Sequence, residues 1–288
     1  MPELPEVETL RLGLKKYLVG HKIEDVEILH PKIFFGDKKD IVGAAVKGIR
    51  RVGKGLIIDL SNEFSLAIHI KLTGQLIYQD NKTVKNPVSK LKVGSVPNKF
   101  THIIFRLNGD SKLFYNDQRR FGWIKVVKTN EVMNLPFFKE MGPEPFAEEL
   151  GSGQVDLTLD KFEEIISNSK TVIKPLVMDQ KKIGGIGNIY ANDALFKAKI
   201  DPRRKANSLS EAEIRKLYDS VLFVLKKGLD SGGASELTFV NILGQDGGYQ
   251  NHTLVYGKRG KTCPNCGSKI KVIKLAGRGT FFCEICQK

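Results

Sequence analysis

No apolar run in this sequence approaches the ~20 residues that cross a bilayer, and acidic residues fall well short of basic ones. The first lack excludes a protein built on membrane-spanning helices. The second leaves 46 Lys+Arg against 32 Asp+Glu, a net charge of +14 over 288 residues. Such a surplus points to a polyanionic partner, with nucleic acid first; a merely basic soluble protein is the plainer reading. There is no internal repeat and no low-complexity tract, and with 41% hydrophobic and 27% charged residues the composition is not that of a disordered chain. The opening Met-Pro-Glu-Leu-Pro-Glu lacks the basic and apolar stretches of a secretory or transit peptide, so a cytoplasmic location is expected. The length suits roughly two domains, each able to bury a core of its own.

Cysteine is absent until residue 263, and then four occur as Cys263-Pro264-Asn265-Cys266 and Cys283-Glu284-Ile285-Cys286, sixteen residues apart. Two CxxC turns at this spacing place four thiolates around one tetrahedral Zn²⁺ with no open position, a structural site rather than a catalytic one. Two disulfides or four unligated thiols are the alternatives, and a reducing cytosol disfavours the first.

The chain falls into three stretches. Residues 1–134 read mostly as strands after a helix from about Val7 to Leu18; Leu56 to Leu60 and Phe64 to Ile68 flank one turn, and Asn108-Gly109 marks a second hairpin. Residues 135–230 begin with a Pro- and Gly-rich linker and turn helical from Leu157. There Ser210 and Glu213 form a capping box with Leu209 able to staple to Ile214, and Ile214, Leu217, Tyr218, Val221, Leu222 and Leu225 give an apolar stripe. Residues 231–288 are loop and short strands around the cysteines, with eight Lys/Arg against two acids from 239 onward.

Removal of Met1 would leave Pro2 with a secondary α-amine, partly neutral and nucleophilic near pH 7. Such an amine can attack a sugar C1′, displace a base and leave an iminium. Glu3 could serve as acid and base, with Glu6 one helical turn on; clustered glutamates at a helix start also simply cap it.

Pro2-Glu3-Leu4-Pro5-Glu6-Val7-Glu8-Thr9 resembles the opening of the formamidopyrimidine-DNA glycosylases, bacterial base-excision repair enzymes. Further segments follow in that family's order: Arg50-Arg51-Val52-Gly53-Lys54, Asn116-Asp117-Gln118-Arg119-Arg120-Phe121-Gly122, Gly185-Ile186-Gly187-Asn188, Val255-Tyr256-Gly257-Lys258-Arg259-Gly260 and Gly277-Arg278-Gly279-Thr280. The resemblance implies an α+β architecture: an N-terminal β-sandwich with flanking helices, a helix-two-turn-helix domain and a C-terminal zinc finger. It implies a DNA glycosylase and abasic-site lyase acting on damaged duplex DNA laid across the cleft between the first two parts. The protein would be a monomer, with one structural Zn²⁺ and no small-molecule cofactor. In those roles Pro2 is the nucleophile, Glu3 the acid/base, Lys54 the lysine of β-elimination and Arg278 the finger arginine of δ-elimination. His69, Arg120 and Asn188 would touch phosphates, and Lys174 would lie near the lesion. Leu72, Arg119 and Phe121 would fill the space left by an extruded base, since chemistry on a duplex base requires extrusion. On an apolar strand, His69 also reads as an ordinary core histidine.

Several positions depart from the family pattern. Leu72 stands for a methionine, Gln118 for a proline, Phe100 for a histidine and Asp193 for a glutamate. The lesion-reading loop is Gly232-Gly233-Ala234-Ser235-Glu236-Leu237, so Ser235, Glu236 and Leu237 join Glu6 as pocket residues while an arginine expected at 237 is missing. An added carboxylate there is expected to shift preference away from 8-oxoguanine toward formamidopyrimidines or further-oxidised purines; the plainer reading is a mobile loop with Glu236 pointing into water. An endonuclease VIII-like specificity for oxidised pyrimidines is the enzymatic alternative, which Leu4 disfavours. A non-catalytic damage-binding protein of the same fold is the other.

Overall fold

The structure, a computed structural model, describes residues 1–288. The first helix, α1 (Leu4–Leu18), starts three residues earlier than apolar periodicity indicates. The reason is local: Glu3 is its N-cap, the Glu3 N–H donates to Glu6 Oε2 at 2.7 Å, and Pro5 sits in the first turn, where its missing N–H costs nothing. Polar glutamates occupy that turn, so a search for apolar spacing passes over it.

Nine strands follow: β1 (Ile23–Ile28), β2 (Phe34–Phe35), β3 (Val46–Val52), β4 (Gly55–Leu60), β5 (Phe64–His69), β6 (Gly74–Gln79), β7 (Thr101–Leu107), β8 (Ser111–Asp117) and β9 (Trp123–Lys128). They form a four-stranded sheet in the order β1-β7-β8-β6 and a five-stranded sheet in the order β2-β9-β5-β4-β3. Alternate residues of both sheets, among them Val26, Phe105 and Leu113 from one and Ile58, Leu66 and Ile124 from the other, bury into one core with Val7, Leu10, Leu14 and Leu18 of α1. This is the sandwich that the resemblance implies. The hairpin at Asn108-Gly109 closes β7 onto β8 with Gly109 and Asp110 both left-handed. A smaller core on the four-stranded sheet gathers Ile77, Ile104, Phe114, Val93 and Val240. A short helix, α2 (Pro136–Lys139), sets Phe137 and Phe138 so close to Gly55 that a side chain there would collide with both rings.

The chain divides into two compact units, one of Met1–Lys139, Gly151–Gly153 and Leu229–Gln250, the other of Glu140–Leu150, Gln154–Gly228 and Asn251–Lys288. The second unit holds α3 (Leu159–Ser167), α4 (Ile173–Val177), α5 (Asn188–Ala198) and most of α6 (Glu211–Asp230), then β10 (Lys271–Leu275) paired with β11 (Arg278–Phe282). The Ser210–Glu213 capping box forms, with Ser210 N–H donating to Glu213 at 2.8 Å. Arg204 clasps the same carboxylate and holds it at about 2. On α6 the stripe buries Ile214, Leu217, Val221 and Leu225, with Val224 added and Tyr218 and Leu222 only half-buried. Gly228 is needed on that face because a Cβ would lie 2.5 Å from the Tyr190 hydroxyl.

One ion pair ties α1 to the sandwich. Arg51 is wholly buried, its Nε donating to Glu8 Oε2 at 3.0 Å and its Nη1 to the Gly53 carbonyl at 2.9 Å. Glu8→Gln preserves the shape but leaves a guanidinium out of water beside a neutral amide. Urea unfolding should show a loss of about 3–5 kcal/mol, and a loss below about 1 kcal/mol would place this pair with surface salt bridges instead.

Candidate functional site

The N-terminal residues are folded inward. Met1 is exposed, whereas Pro2 is buried and Glu3 and Glu6 are 2% and 1% exposed. Glu6 uses both oxygens, Oε2 for the Glu3 N–H and Oε1 for the Ala234 N–H at 2.7 Å. Its carboxylate thereby joins the start of α1 to the loop of residues 231–237. Gly233 makes the approach possible: it is left-handed, and a Cβ there would lie 2.9 Å from Glu6 Cγ. In that loop Ser235 is buried and internally bonded. Its N–H donates to Gln250 Oε1, its Oγ donates to the Phe239 carbonyl, and the Gly247 N–H donates to that Oγ. Glu236 and Leu237 face outward, the latter 59% exposed.

Lys54 occupies the second position of the two-residue turn between β3 and β4, after left-handed Gly53, and is only 3% exposed. The turn is held from beneath by Arg51, which bonds the Gly53 carbonyl and, through Glu8, α1. His69, at the end of β5, is 3% exposed and packs edge-on against Phe137 with Trp123 nearby. Its Nδ1 accepts the Lys71 N–H at 2.8 Å. Burial, and then the charges of Lys71 and Lys54, hold its pKa down at about 3, so the imidazole is neutral at physiological pH. His69 is therefore a bonded, packed histidine that offers a phosphate a neutral donor and no cation.

The three residues expected to fill a vacated base stack all lie in this unit. Leu72 is half-buried in the β5–β6 connection; Phe121 is 55% exposed after β8, with the Arg119 guanidinium 4.6 Å above its ring. Asp117 organises them. Its Oδ1 accepts the Thr73 hydroxyl at 2.5 Å and the Arg119 N–H at 3.2 Å, and its Oδ2 accepts the Gly122 N–H at 2.8 Å. Arg120 adopts a left-handed φ of 55°, an unfavourable conformation for a bulky residue that these bonds maintain.

In the other unit Lys174 is 1% exposed on α4. Its Nζ donates to Asn188 Oδ1 at 2.8 Å, the Gly279 carbonyl at 3.0 Å and Thr280 Oγ1 at 2.7 Å. Those bonds lock the start of α5, which Gly187 caps, onto β11. Arg278 is exposed at the beginning of β11, after the two-residue turn Ala276-Gly277 with both φ values positive. Asp193 is fully buried and accepts the N–H groups of Leu254, Val255 and Tyr256, so a carboxylate one methylene shorter than expected is wholly committed to the approach to the finger.

The four cysteine sulfurs lie within 4.8 Å of one another, with Cys263–Cys286 at 3.8 Å and Cys266–Cys283 at 3.4 Å. A disulfide would need ~2.05 Å, whereas sulfurs ~2.3 Å from one tetrahedral Zn²⁺ stand about 3.8 Å apart. The Ser268 hydroxyl draws the Cys266 thiol down to about 6, while burial and the neighbouring sulfurs push Cys286 up to about 12. Four such thiols ionise together only around a cation, so the residues fit a closed zinc site. Cys263 and Cys283 also pack with Phe196, Val255 and Ile270, which joins the finger to α5. Sequence reasoning did not single out Glu8, Arg51 or Asp117 as parts of the site. Each lies inside a motif it quoted, and their type there is the only signal available.

The Formamidopyrimidine-DNA glycosylase N-terminal domain model matches residues 1–124, that family's H2TH domain model residues 141–239, and the model of the zinc finger found in FPG and IleRS residues 260–288. Formamidopyrimidine-DNA glycosylases of Pelotomaculum thermopropionicum and Streptococcus mutans are 38% and 37% identical, over 100% of this chain and 99% and 100% of theirs. Two solved structures of Lactococcus lactis Fpg, a mutant with Fapy-dG-containing DNA and the wild type with oxidised-pyrimidine-containing DNA, match over 100% of both chains at 36% identity, with TM-scores of 0.87 and 0.86. Full-length likeness of sequence and of fold, carried by all three family models in order, leaves one conclusion: this chain belongs to the formamidopyrimidine-DNA glycosylase family.

Proposed function

We propose that this protein excises oxidised purines from duplex DNA and cuts the resulting abasic site, acting as a monomer through an N-terminal proline. The observation that carries the reading is the enclosed start of α1, where Pro2, Glu3 and Glu6 are buried together and Glu6 bonds the loop at Ala234. Once Met1 is removed, the Pro2 nitrogen attacks C1′ as the C1′–base bond breaks. The bonding electrons leave with the base, which takes up a proton, while the Pro2 nitrogen gives up its own. Its lone pair then breaks the C1′–O4′ bond, O4′ takes up a proton, and the opened sugar carries an iminium at C1′. Loss of a C2′ proton then expels the 3′-phosphate, a second elimination expels the 5′-phosphate, and water frees Pro2 from the sugar remnant. Glu3 is assigned the proton transfers of base release, Lys54 the first elimination and Arg278 the second. His69, Arg120 and Asn188 are assigned to phosphates, Lys174 to the lesion's surroundings, and Leu72, Arg119 and Phe121 to the vacated stack. Zn²⁺, held by the four cysteines, shapes the finger that presents Arg278 and takes no part in the chemistry. Residues 1–134 would then supply the chemistry, 135–230 the helical grip on DNA, and 231–288 the lesion loop and finger.

A second reading, excision of oxidised pyrimidines, draws support from the Lactococcus lactis structure with such a base in its DNA. The outward Glu236 and Leu237 bear on lesion choice. A carboxylate beside a flipped 8-oxoguanine sets acceptor against acceptor, and unpaired buried polar groups are strongly rejected. Ring-opened purines carry more N–H donors and suffer less.

On abasic-site DNA, borohydride should trap a covalent adduct at the Pro2 nitrogen. Glu3→Gln should reduce base excision by about 10²- to 10⁴-fold while abasic-site cutting falls far less; an adduct mapped to Lys54 would overturn the assignment. Chelating zinc should abolish duplex binding before the first unit melts, followed by gel shift and circular dichroism, because so small a finger has too little core to stand without metal. Normal binding by metal-free protein would count decisively against it. Glu236→Val combined with Leu237→Arg should raise 8-oxoguanine excision over formamidopyrimidine by roughly tenfold, the worth of one satisfied buried hydrogen bond. An unchanged ratio in single-turnover assays with formamidopyrimidine, 8-oxoguanine and oxidised-pyrimidine duplexes would remove this loop as the selector.

A further inference from the structure

The loop of residues 231–238 lacks the arginine expected at 237, and a distant segment holds it in place. Lys92 reaches in from the β6–β7 connection, and its Nζ donates to the Ser235 carbonyl at 2.7 Å and pairs with Asp246 Oδ1 at 2.8 Å. One ammonium thus clamps the carbonyl in the middle of the loop to a carboxylate on its returning arm. Lys92 is half-buried, and its side chain is 19% exposed against 44% for Asp246, so the pair is partly sheltered from solvent screening.

The backbone around Lys92 is fixed from three directions. Its carbonyl accepts Gln75 Nε2, which also donates to the Thr238 carbonyl at 2.6 Å. The Ser89 N–H donates to the Gly244 carbonyl at 2.8 Å. Val93 packs with Val240 in the smaller core. Lys92 therefore projects from a rigid base onto a loop whose tip, Glu236-Leu237, stays exposed and whose start, Gly232-Gly233, is left-handed and hinge-like. With Glu6 bonding the Ala234 N–H and Lys92 the Ser235 carbonyl, two successive residues are pinned by side chains of opposite charge.

We propose that Lys92 is a positioning residue that latches the lesion-reading loop into the shape that receives a base. The proposal rests on the reading that this loop contacts the flipped base. A preformed loop loses less conformational freedom on binding, and it favours bases that fit its existing shape. A site without a base gives the loop nothing to read, so cutting of a preformed abasic site depends on it far less than base release does.

The test uses the full-length zinc-loaded protein. Lys92→Met keeps the aliphatic stem and the backbone bonds of residue 92 while removing the ammonium. Hydrogen–deuterium exchange of the peptide 232–238 in the free variant should rise at least tenfold with exchange in α1 and β8 unchanged. The ratio of single-turnover oxidised-purine excision to abasic-site cutting should fall about tenfold. Lys92→Arg, which retains a cation and several donors, should restore most of both. Asp246→Asn, which leaves the bond to Ser235, should give a smaller change than Lys92→Met. Exchange unchanged in Lys92→Met overturns the latch, as does faster exchange with an unaltered activity ratio. If the unmodified protein releases no base at all, the proposed function fails, and the exchange comparison still decides whether the latch exists.

Discussion

Three carboxylates are taken out of water within the first eight residues, and most of what surrounds them follows from that. Glu3, Glu6 and Glu8 are each no more than 2% exposed. A buried carboxylate is tolerated only when its oxygens are matched by donors, since the desolvation penalty is several kcal/mol per ion. The partners of Glu6 and Glu8 are the segments to which the proposed chemistry is assigned. Glu6 takes the N–H groups of Glu3 and Ala234, and Glu8 takes Arg51, which fixes the turn carrying Lys54. The cost of leaving these glutamates unpaired thus brings the N-terminus, a lysine turn and a loop more than two hundred residues away to defined places on one sandwich.

Two other buried carboxylates are matched by donors in the same way. Asp193 caps three consecutive backbone N–H groups with a side chain one methylene shorter than usual. Asp117 ties the Thr73 hydroxyl and the Arg119 and Gly122 amides into one node, so the segments bearing Leu72, Arg119 and Phe121 leave the sheet from a common support. In the loop of residues 231–238 the roles are reversed, with the Lys92 ammonium meeting a backbone carbonyl from a separate strand connection. An electrostatic and hydrogen-bonding demand can be met from any segment of the chain that reaches it.

His69 illustrates a limit of reading residues by type. A histidine at the end of an apolar strand admits a phosphate contact and a core role alike. Burial beside Phe137, and then the charges of Lys71 and Lys54, keep it neutral. A basic protein holds DNA mainly through fixed cations, and His69 is not among them; whatever it gives a phosphate comes from geometry.

Much of the molecule is legible in its sequence. The two CxxC turns implied zinc because tetrahedral sulfur ligation imposes that local spacing; the strand pairs around Asn108-Gly109 and the stripe and cap of α6 followed from periodicity and turn chemistry. Such features depend on residues within a few positions of one another, so the order of the chain determines them. The start of α1 escaped because it is set by a capping carboxylate, with Pro5 and Glu6 interrupting the apolar spacing of Leu4 and Val7. The service of Glu8 and Arg51, the node at Asp117 and the clamp from Lys92 were decided only by tertiary structure. Their partners are 43, 44 and 143 positions away in the chain. A sequence records that a charge is present, but which distant group must satisfy it is settled only when folding removes the water that would otherwise do so.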